Sequence, residues 1–216
     1  MNRLGTILIA IILAAAVIGA GAYVWNTDLK WHPKTITKHQ AEITKIVESA
    51  GWVSPGNTGP TLYMVGFRSC PDCMRFKAEE FPGLHAVGVD TRVIEVARAE
   101  VNGVAKSTPV ERATVAELWT NRSWALFEDW NKVPVEAWTA PGIVPADGDT
   151  GRTAVVEAGR KMVADLRPLL KDNGVNFAYP TLIWWTKDGK MRACACEKRE
   201  TYRFVRAELG VKDPAR

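Results

Sequence analysis

The chain's four cysteines fall in two close pairs: Cys70 and Cys73 in Cys70-Pro71-Asp72-Cys73, and Cys194 and Cys196 around Ala195. Cysteine attacks and ligates as its thiolate, and two thiols one helical turn apart can close or open a disulfide by exchange. The C-x-x-C spacing alone admits a redox dithiol, a structural disulfide or half of a zinc site. Its setting favours the first. Thr61–Phe67 (TLYMVGF) before it is short, apolar and β-prone, the pattern of a buried strand. Met74, Phe76, Phe81 and Leu84 after it recur at helical spacing. A thiol at that handover faces the unpaired N–H groups and the positive dipole of a helix N-terminus, which stabilise its thiolate. Pro71 suits the first helical position, where no N–H is needed. Cys70 is thus expected to be the exposed nucleophile and Cys73 the thiol that resolves the mixed disulfide. Asp72 works against the thiolate by like charge, which tilts the expectation toward a reductase or isomerase and away from a strong oxidant.

The second pair lies on a strand expected over Met191–Cys196, after a strand over Thr181–Thr186 and a turn at Lys187-Asp188-Gly189-Lys190. Centring that hairpin on Asp188-Gly189 sets Cys196 across from Thr181, near Pro180 and on the same edge as Cys70. Three readings stay open for Cys194 and Cys196. They are an auxiliary dithiol exchanging electrons with Cys70/Cys73, a buried thiol pair or local disulfide, or part of a four-thiolate metal site built from both pairs.

The elements that must position these thiols follow from length and pattern. With 216 residues, 47% hydrophobic and 24% charged, the chain is globular, with room for one ordinary domain. It can bury enough surface to fold without a staple, so special cysteine chemistry points to function. A net charge of +4, spread along the chain, is too small to argue for nucleic acid. Leu4–Trp25 carries no charge and has about the length of a membrane span, so residues 1–25 are expected to be a transmembrane anchor or a cleaved export signal ending near Gly19-Ala20-Gly21-Ala22. Residues 26–60 hold a helical stalk or strut over Thr35–Ala50 and a linker, VSPGNTGP. A domain over 61–210 follows, with a second strand over Val87–Val96, helical stretches over Pro109–Lys132 and Gly151–Asn173 in an insert at about 105–175, and a closing helix over Glu197–Leu209. Trp184 and Trp185 read as core on both faces of the sheet. His32, His39 and His85 lack ligand spacing, and no Ser/His/Asp order, Walker loop or dinucleotide glycine pattern occurs.

The strand, the CPDC motif, the amphipathic helix and a later Tyr179-Pro180-Thr181 opening a strand together resemble the thioredoxin superfamily. The stretches CPDCMRFKAEEFPGLHAVGVDTRVIEV, ELWTNRSWALFEDWNKV and VNFAYPTLIWWTKDGK resemble, in order, the periplasmic thiol:disulfide interchange proteins of the DsbC/DsbG type. That resemblance implies an α/β thioredoxin-like fold, a central mixed sheet flanked by helices with a helical insertion, here preceded by one N-terminal transmembrane helix. It implies a cis Pro180 facing the dithiol, with Tyr179 and Thr181 lining a peptide-binding edge at which Thr181 offers its backbone to an extended substrate. It departs from the pattern in having no room for the family's N-terminal dimerisation domain, and in carrying Met64 where many thioredoxins hold a buried acid. The implied function is a membrane-tethered thiol:disulfide oxidoreductase, a reductase or isomerase, acting on disulfides of exported proteins without cofactor or metal. The implied place is the bacterial inner membrane, single-pass through residues 4–25, with the domain in the periplasm and a membrane redox partner. The alternative is a non-enzymatic envelope carrier of copper or zinc, or an assembly factor that uses the fold to dock a partner.

Overall fold

The computed structural model describes residues 3–27 and 29–212, with the side chains of 3–6, 8–10, 27 and 30 excepted. The chain forms two units, Met1–His32 and Pro33–Arg216. The first holds helix α1 (Arg3–Thr27) and a 3-10 turn over Leu29–Trp31, where the Trp31 indole donates to the Asn26 carbonyl at 2.6 Å. Among the described residues no helix is long and apolar enough to cross a membrane. That finding overturns the expected transmembrane helix at residues 4–25 and, with it, the single-pass inner-membrane placement.

The second unit is built on one mixed sheet of β1 (Lys34–Thr35), β2 (Thr61–Gly66), β3 (Asp90–Glu95), β4 (Thr181–Trp185) and β5 (Met191–Ala195), in the order β1-β5-β4-β2-β3. Successive residues Leu62, Tyr63, Met64 and Val65 of β2 are all buried, so helices cover both faces of the central strand. Those helices are α2 (Gln40–Ser49), α3 (Pro71–Ala86), α4 (Pro109–Asn121), α5 (Trp124–Lys132), α6 (Thr150–Lys171) and α7 (Arg199–Leu209). Helix α3 packs with α7, and α6 packs with both α2 and α4. β3 runs parallel to β2, β4 pairs antiparallel with β2, and β5 pairs antiparallel with β4.

Local chemistry accounts for where the elements depart from the sequence reading. The helix expected from Thr35 starts only at Gln40, because Lys34 and Thr35 pair with Ala193 and Arg192 as an edge strand and His39 takes a left-handed conformation, φ 60°. The helical stretch over Pro109–Lys132 is two helices. Arg122 turns left-handed, φ 52°, and the Ser123 hydroxyl caps α5 by accepting from Leu126 N at 3.2 Å. The strand expected over Val87–Val96 spans only Asp90–Glu95. The linker is docked: Val53 exchanges two backbone hydrogen bonds with Val93, of 2.9 and 2.8 Å, and Arg122 donates to the Ala50 carbonyl at 2.8 Å.

The hairpin register also differs by one. Trp185 pairs with Met191 and Thr181 with Ala195, not with Cys196. The loop is longer than a two-residue turn. The Thr186 hydroxyl accepts from Lys190 N at 3.1 Å, Gly189 is left-handed at φ 77°, and the loop absorbs Thr186–Lys190.

Trp119 of α4 ties the linker, the insert and the sheet together. Its indole donates to the Glu95 carbonyl at 2.8 Å, and its six-membered ring lies against Gly159 of α6. Its Cα and Cβ press on Gly51 so closely that a Cβ there would overlap them. Gly51→Ala is therefore expected to destabilise the fold by about 1–3 kcal/mol, as overpacking does. Urea unfolding followed by tryptophan fluorescence measures this, and a midpoint equal to wild type would show that the linker is not held against α4.

Candidate dithiol site

β2 ends at Gly66, and a turn closed by Cys70 N donating to the Phe67 carbonyl at 3.1 Å delivers Cys70 to the N-cap of α3. Pro71 fills the first helical position. Cys70 Sγ accepts from Cys73 N at 3.0 Å, so a backbone N–H and the helix dipole both point at the sulfur that would carry thiolate charge. Cys70 and Cys73 are joined in a disulfide with their Cα atoms 5.1 Å apart. The helix comes down close on the strand because residue 66 lacks a side chain: a Cβ there would stand 3.3 Å from Cys73 Sγ and 3.5 Å from Met64 Cε.

The second half of the site arrives with β4. Antiparallel pairing of Val65 with Thr181 brings the preceding residues beside Cys70, and the Tyr179–Pro180 peptide bond is cis. Cys70 Sγ lies 3.7 Å from the Tyr179 carbonyl oxygen, within reach of a thiol donor. The Tyr179 ring packs edge-to-face on Phe67, with centroids 5.0 Å apart. Burial raises the Tyr179 phenol above its usual range, against the opposing pull of Arg167.

Cys70, Cys73, Tyr179 and Pro180 thus come together, and three expectations need correcting. Cys70 is not exposed: its fractional exposure is 3% in the disulfide form, because the Tyr179 carbonyl and its own capping turn enclose it. Thr181 does not offer its backbone, because it sits within β4, paired with Val65 on one side and Ala195 on the other, and is fully buried. Cys196 faces Pro180 and not Thr181, its amide donating to the Pro180 carbonyl at 2.8 Å.

Asp72 does not act as a free carboxylate. It pairs with Arg75 at 2.6 Å, which offsets the like charge it would place near a Cys70 thiolate. Cys194 and Cys196 close their own disulfide and are both buried. The two pairs therefore do not converge on one four-thiolate site, and among the described residues no three His, Cys, Asp or Glu side chains group as metal ligands.

A buried ionic layer behind the dithiol was not singled out from the sequence. Lys77 of α3 pairs with Glu95 at the end of β3 at 3.0 Å and donates to Asn131 Oδ1 at 2.7 Å, with both charged side chains buried. Glu95 is registered opposite Gly66, the residue against which Cys73 packs. Arg68, buried two residues before Cys70, donates to the Trp130 and Val133 carbonyls and so holds the end of α5 on the dithiol turn. Glu111, buried in α4, has its carboxyl pushed up to about 7, first by burial and then by Glu95. The only sequence signal for this layer was acidic residues at the end of an apolar strand and within an apolar helix, which is also how solvated charges look.

A strand leading into a C-x-x-C at a helix N-terminus, the parallel β2-α3-β3 crossover, and a cis-proline opening the antiparallel strand beside the dithiol define a thioredoxin-like fold. Among solved structures, the chain is similar to BcfH of Salmonella enterica Typhimurium, at 13% identity and a TM-score of 0.48, over 95% of this chain and 91% of that one. It is also similar to ScsC of Proteus mirabilis in a transitional conformation, at 11% identity and a TM-score of 0.45, over 97% and 99%. No protein-family model and no curated protein sequence matches the chain.

Two outcomes test the ionic layer. Lys77→Met leaves Glu95 charged and buried without its cation, at an expected cost of about 3–5 kcal/mol, most of it recovered in a Lys77→Met/Glu95→Gln double variant. Additive losses in a double-mutant cycle by urea unfolding would show that the two side chains do not interact. For Glu111, the folded pKa lies above the unfolded one, so the unfolded chain sheds this proton first as pH rises. Stability is then lost between about pH 4.5 and 7, by about 3 kcal/mol, and levels off above. Glu111→Gln is expected to remove that decline, giving a higher urea midpoint than wild type at pH 7.5 and a similar one near pH 4.5. Parallel stability profiles across this range would contradict the assignment.

Proposed function

We propose that the chain is a thiol:disulfide oxidoreductase acting on protein disulfides as a reductase or isomerase, with Cys70 as nucleophile and Cys73 as resolving thiol. One observation carries this reading: Cys70 Sγ accepts the Cys73 N–H at a helix N-terminus while lying 3.7 Å from the carbonyl that precedes cis-Pro180. The first favours a thiolate at that sulfur; the second places backbone beside it. In the reduced protein the Cys70 thiolate attacks one sulfur of a substrate disulfide, forming a mixed disulfide and releasing a substrate thiolate that takes a proton from water. Cys73 loses its proton and attacks Cys70 Sγ, closing the Cys70–Cys73 bond and releasing the second substrate thiolate. Two electrons then pass from the dithiol to the substrate; isomerisation instead branches from the mixed disulfide, when a substrate thiolate attacks the substrate sulfur bound to Cys70, forms a different substrate disulfide and releases the Cys70 thiolate with no net electron transfer.

Substrate presentation falls to Tyr179, since Thr181 is paired on both sides. The peptide groups flanking residue 179 lie outside the sheet ladder and beside the dithiol, where an extended segment can add along them as a strand adds to an edge. The low exposure of Cys70 then acts as a filter, as only a disulfide held on such an extended segment reaches the sulfur in line.

A Cys73→Ser variant is expected to accumulate a mixed disulfide with a scrambled, disulfide-bonded protein such as ribonuclease, seen as a reducible adduct by mass spectrometry. Cys70→Ser is expected to form none, and wild type to turn over. Adducts forming equally through Cys194 or Cys196, or none through Cys70, would overturn the assignment.

A further inference from the structure

Tyr179, whose backbone flanks the dithiol, also lines a groove of about 400 Å³ together with the segment after β3 and helix α6. Its charge is one-sided. Arg98, Lys106, Arg160 and Arg167 line it, and no carboxylate does. Glu100, Asp147 and Glu157 line the adjoining cavity, where Glu157 engages Arg160 Nη1 and Asp147 pairs with Arg112. The cations are held in place by the fold. Arg98 lies over the Phe67 ring, 3.7 Å from its centroid, and its Nε is buried without a hydrogen-bond partner. Arg160 donates to the Ala97 and Arg98 carbonyls at 2.9 and 3.2 Å, and Arg167 lies over Phe177.

The groove is not purely polar. Val96 and Val163 lie on its floor, and Val101 at its mouth is about half exposed. Val101 pairs with Val104 across Asn102 and Gly103, both left-handed, so a tight two-residue turn holds two exposed valines at that end.

From this juxtaposition we infer that the enzyme selects disulfides flanked by acidic, partly apolar sequence, and that the groove binds this flanking segment while its cysteine lies beside Tyr179. The inference rests on the oxidoreductase reading and names its substrate class. Four cations in one concavity, only Arg160 of them engaged by a carboxylate of the adjoining cavity, attract anionic segments and repel basic ones, through an interaction that salt screens. The apolar floor and the exposed valines favour a peptide over a small free anion, which needs neither. The fixed arginines are ordered before a ligand arrives, so less side-chain entropy is lost on binding.

The test uses three peptides of equal length, each with one internal disulfide, flanked by three Asp with Val and Leu, by three Lys with the same apolar residues, or by Ser. With the reduced wild-type protein at low salt, the acidic peptide is expected to exchange about tenfold faster than the Ser peptide and the Lys peptide more slowly than either. The order should compress as salt approaches 1 M, where the Debye length is about 3 Å. Lys106→Glu/Arg167→Glu should reverse the order of acidic and basic peptides, with thermal unfolding reporting that the variant is folded. A second measurement needs no redox chemistry: the acidic peptide with its cysteines replaced by serine should bind the oxidised protein at least about tenfold tighter than the basic one, by fluorescence anisotropy. Equal exchange rates and equal affinities for all three peptides would overturn the groove assignment and leave the oxidoreductase reading standing. Selective binding of the acidic peptide with no exchange of any would overturn that reading while keeping the groove as an acidic-segment site.

Discussion

The antiparallel pairing of β2 with β4 is the constraint on which the site depends. Cys70 and Tyr179 are 109 positions apart, and what brings them within 3.7 Å is the register that sets Val65 opposite Thr181. A slip of one residue would turn every side chain of β4 to the other face. It would also carry the cis-proline away from the helix N-terminus. Both strands are buried on both faces, Leu62 to Val65 and Thr181 to Trp184 being fully or almost fully covered, so a shifted pairing would have to repack the side chains of both layers at once. The insert between these strands serves the same pairing. Through Trp119 and its bond to the Glu95 carbonyl, α4 closes over the end of β3, and α6 and the linker pack on that one indole.

Around this frame the charges divide by purpose. Glu95 is buried and paired with Lys77, which donates also to Asn131, while Glu95 Oε2 has no hydrogen-bond partner, so this carboxylate depends on its one cation. Glu111 Oε1 is buried without a hydrogen-bond partner, and burial with the nearby Glu95 outweighs the pull of Arg98 and Arg112, so its carboxyl is pushed toward the neutral range. The layer therefore carries one compensated carboxylate and one that titrates. The cations of the groove lined by Tyr179 are instead held by stacking and by backbone carbonyls, with Glu157 engaging Arg160 from the adjoining cavity.

The parts legible in the sequence were those with a strong local signature. A β-prone apolar run, a C-x-x-C with proline at the first helical position, and Tyr179-Pro180-Thr181 opening another apolar run mark β2, the start of α3 and β4 without any tertiary information. What failed depended on contacts distant in sequence. The start of α2 was misread because Lys34 and Thr35 find a partner strand at residues 192–193, a pairing that overrides local helical periodicity. The hairpin register was off by one because the Thr186 hydroxyl bonds across the loop to Lys190 N and lengthens it beyond its Asp188-Gly189 centre. The exposure of Cys70 and the partner of Asp72 were out of reach for a related reason. The first is set by a loop 109 positions away, and the second by a choice among nearby cations that spacing alone does not make.

The second cysteine pair is as buried as the first, so what distinguishes it is the backbone around it. For Cys194 and Cys196 to exchange with the dithiol, a sulfur of one pair would have to approach a sulfur of the other in line. Cys196 is fully buried and Cys194 nearly so, and their disulfide sits where β5 ends. The adjoining backbone is already engaged. The Cys196 amide donates to the Pro180 carbonyl, and the next carbonyl, of Glu197, accepts from Arg75 of the dithiol helix at 2.6 Å. Those two bonds tie the end of β5 to the cis-proline on one side and to α3 on the other, spanning the two halves of the site. A disulfide closed over two residues at this point restricts the strand end that both bonds need, and it does so without any exposed sulfur. The Cys194–Cys196 disulfide thus stands at the one strand end from which both halves of the Cys70–Tyr179 site are held by backbone hydrogen bonds.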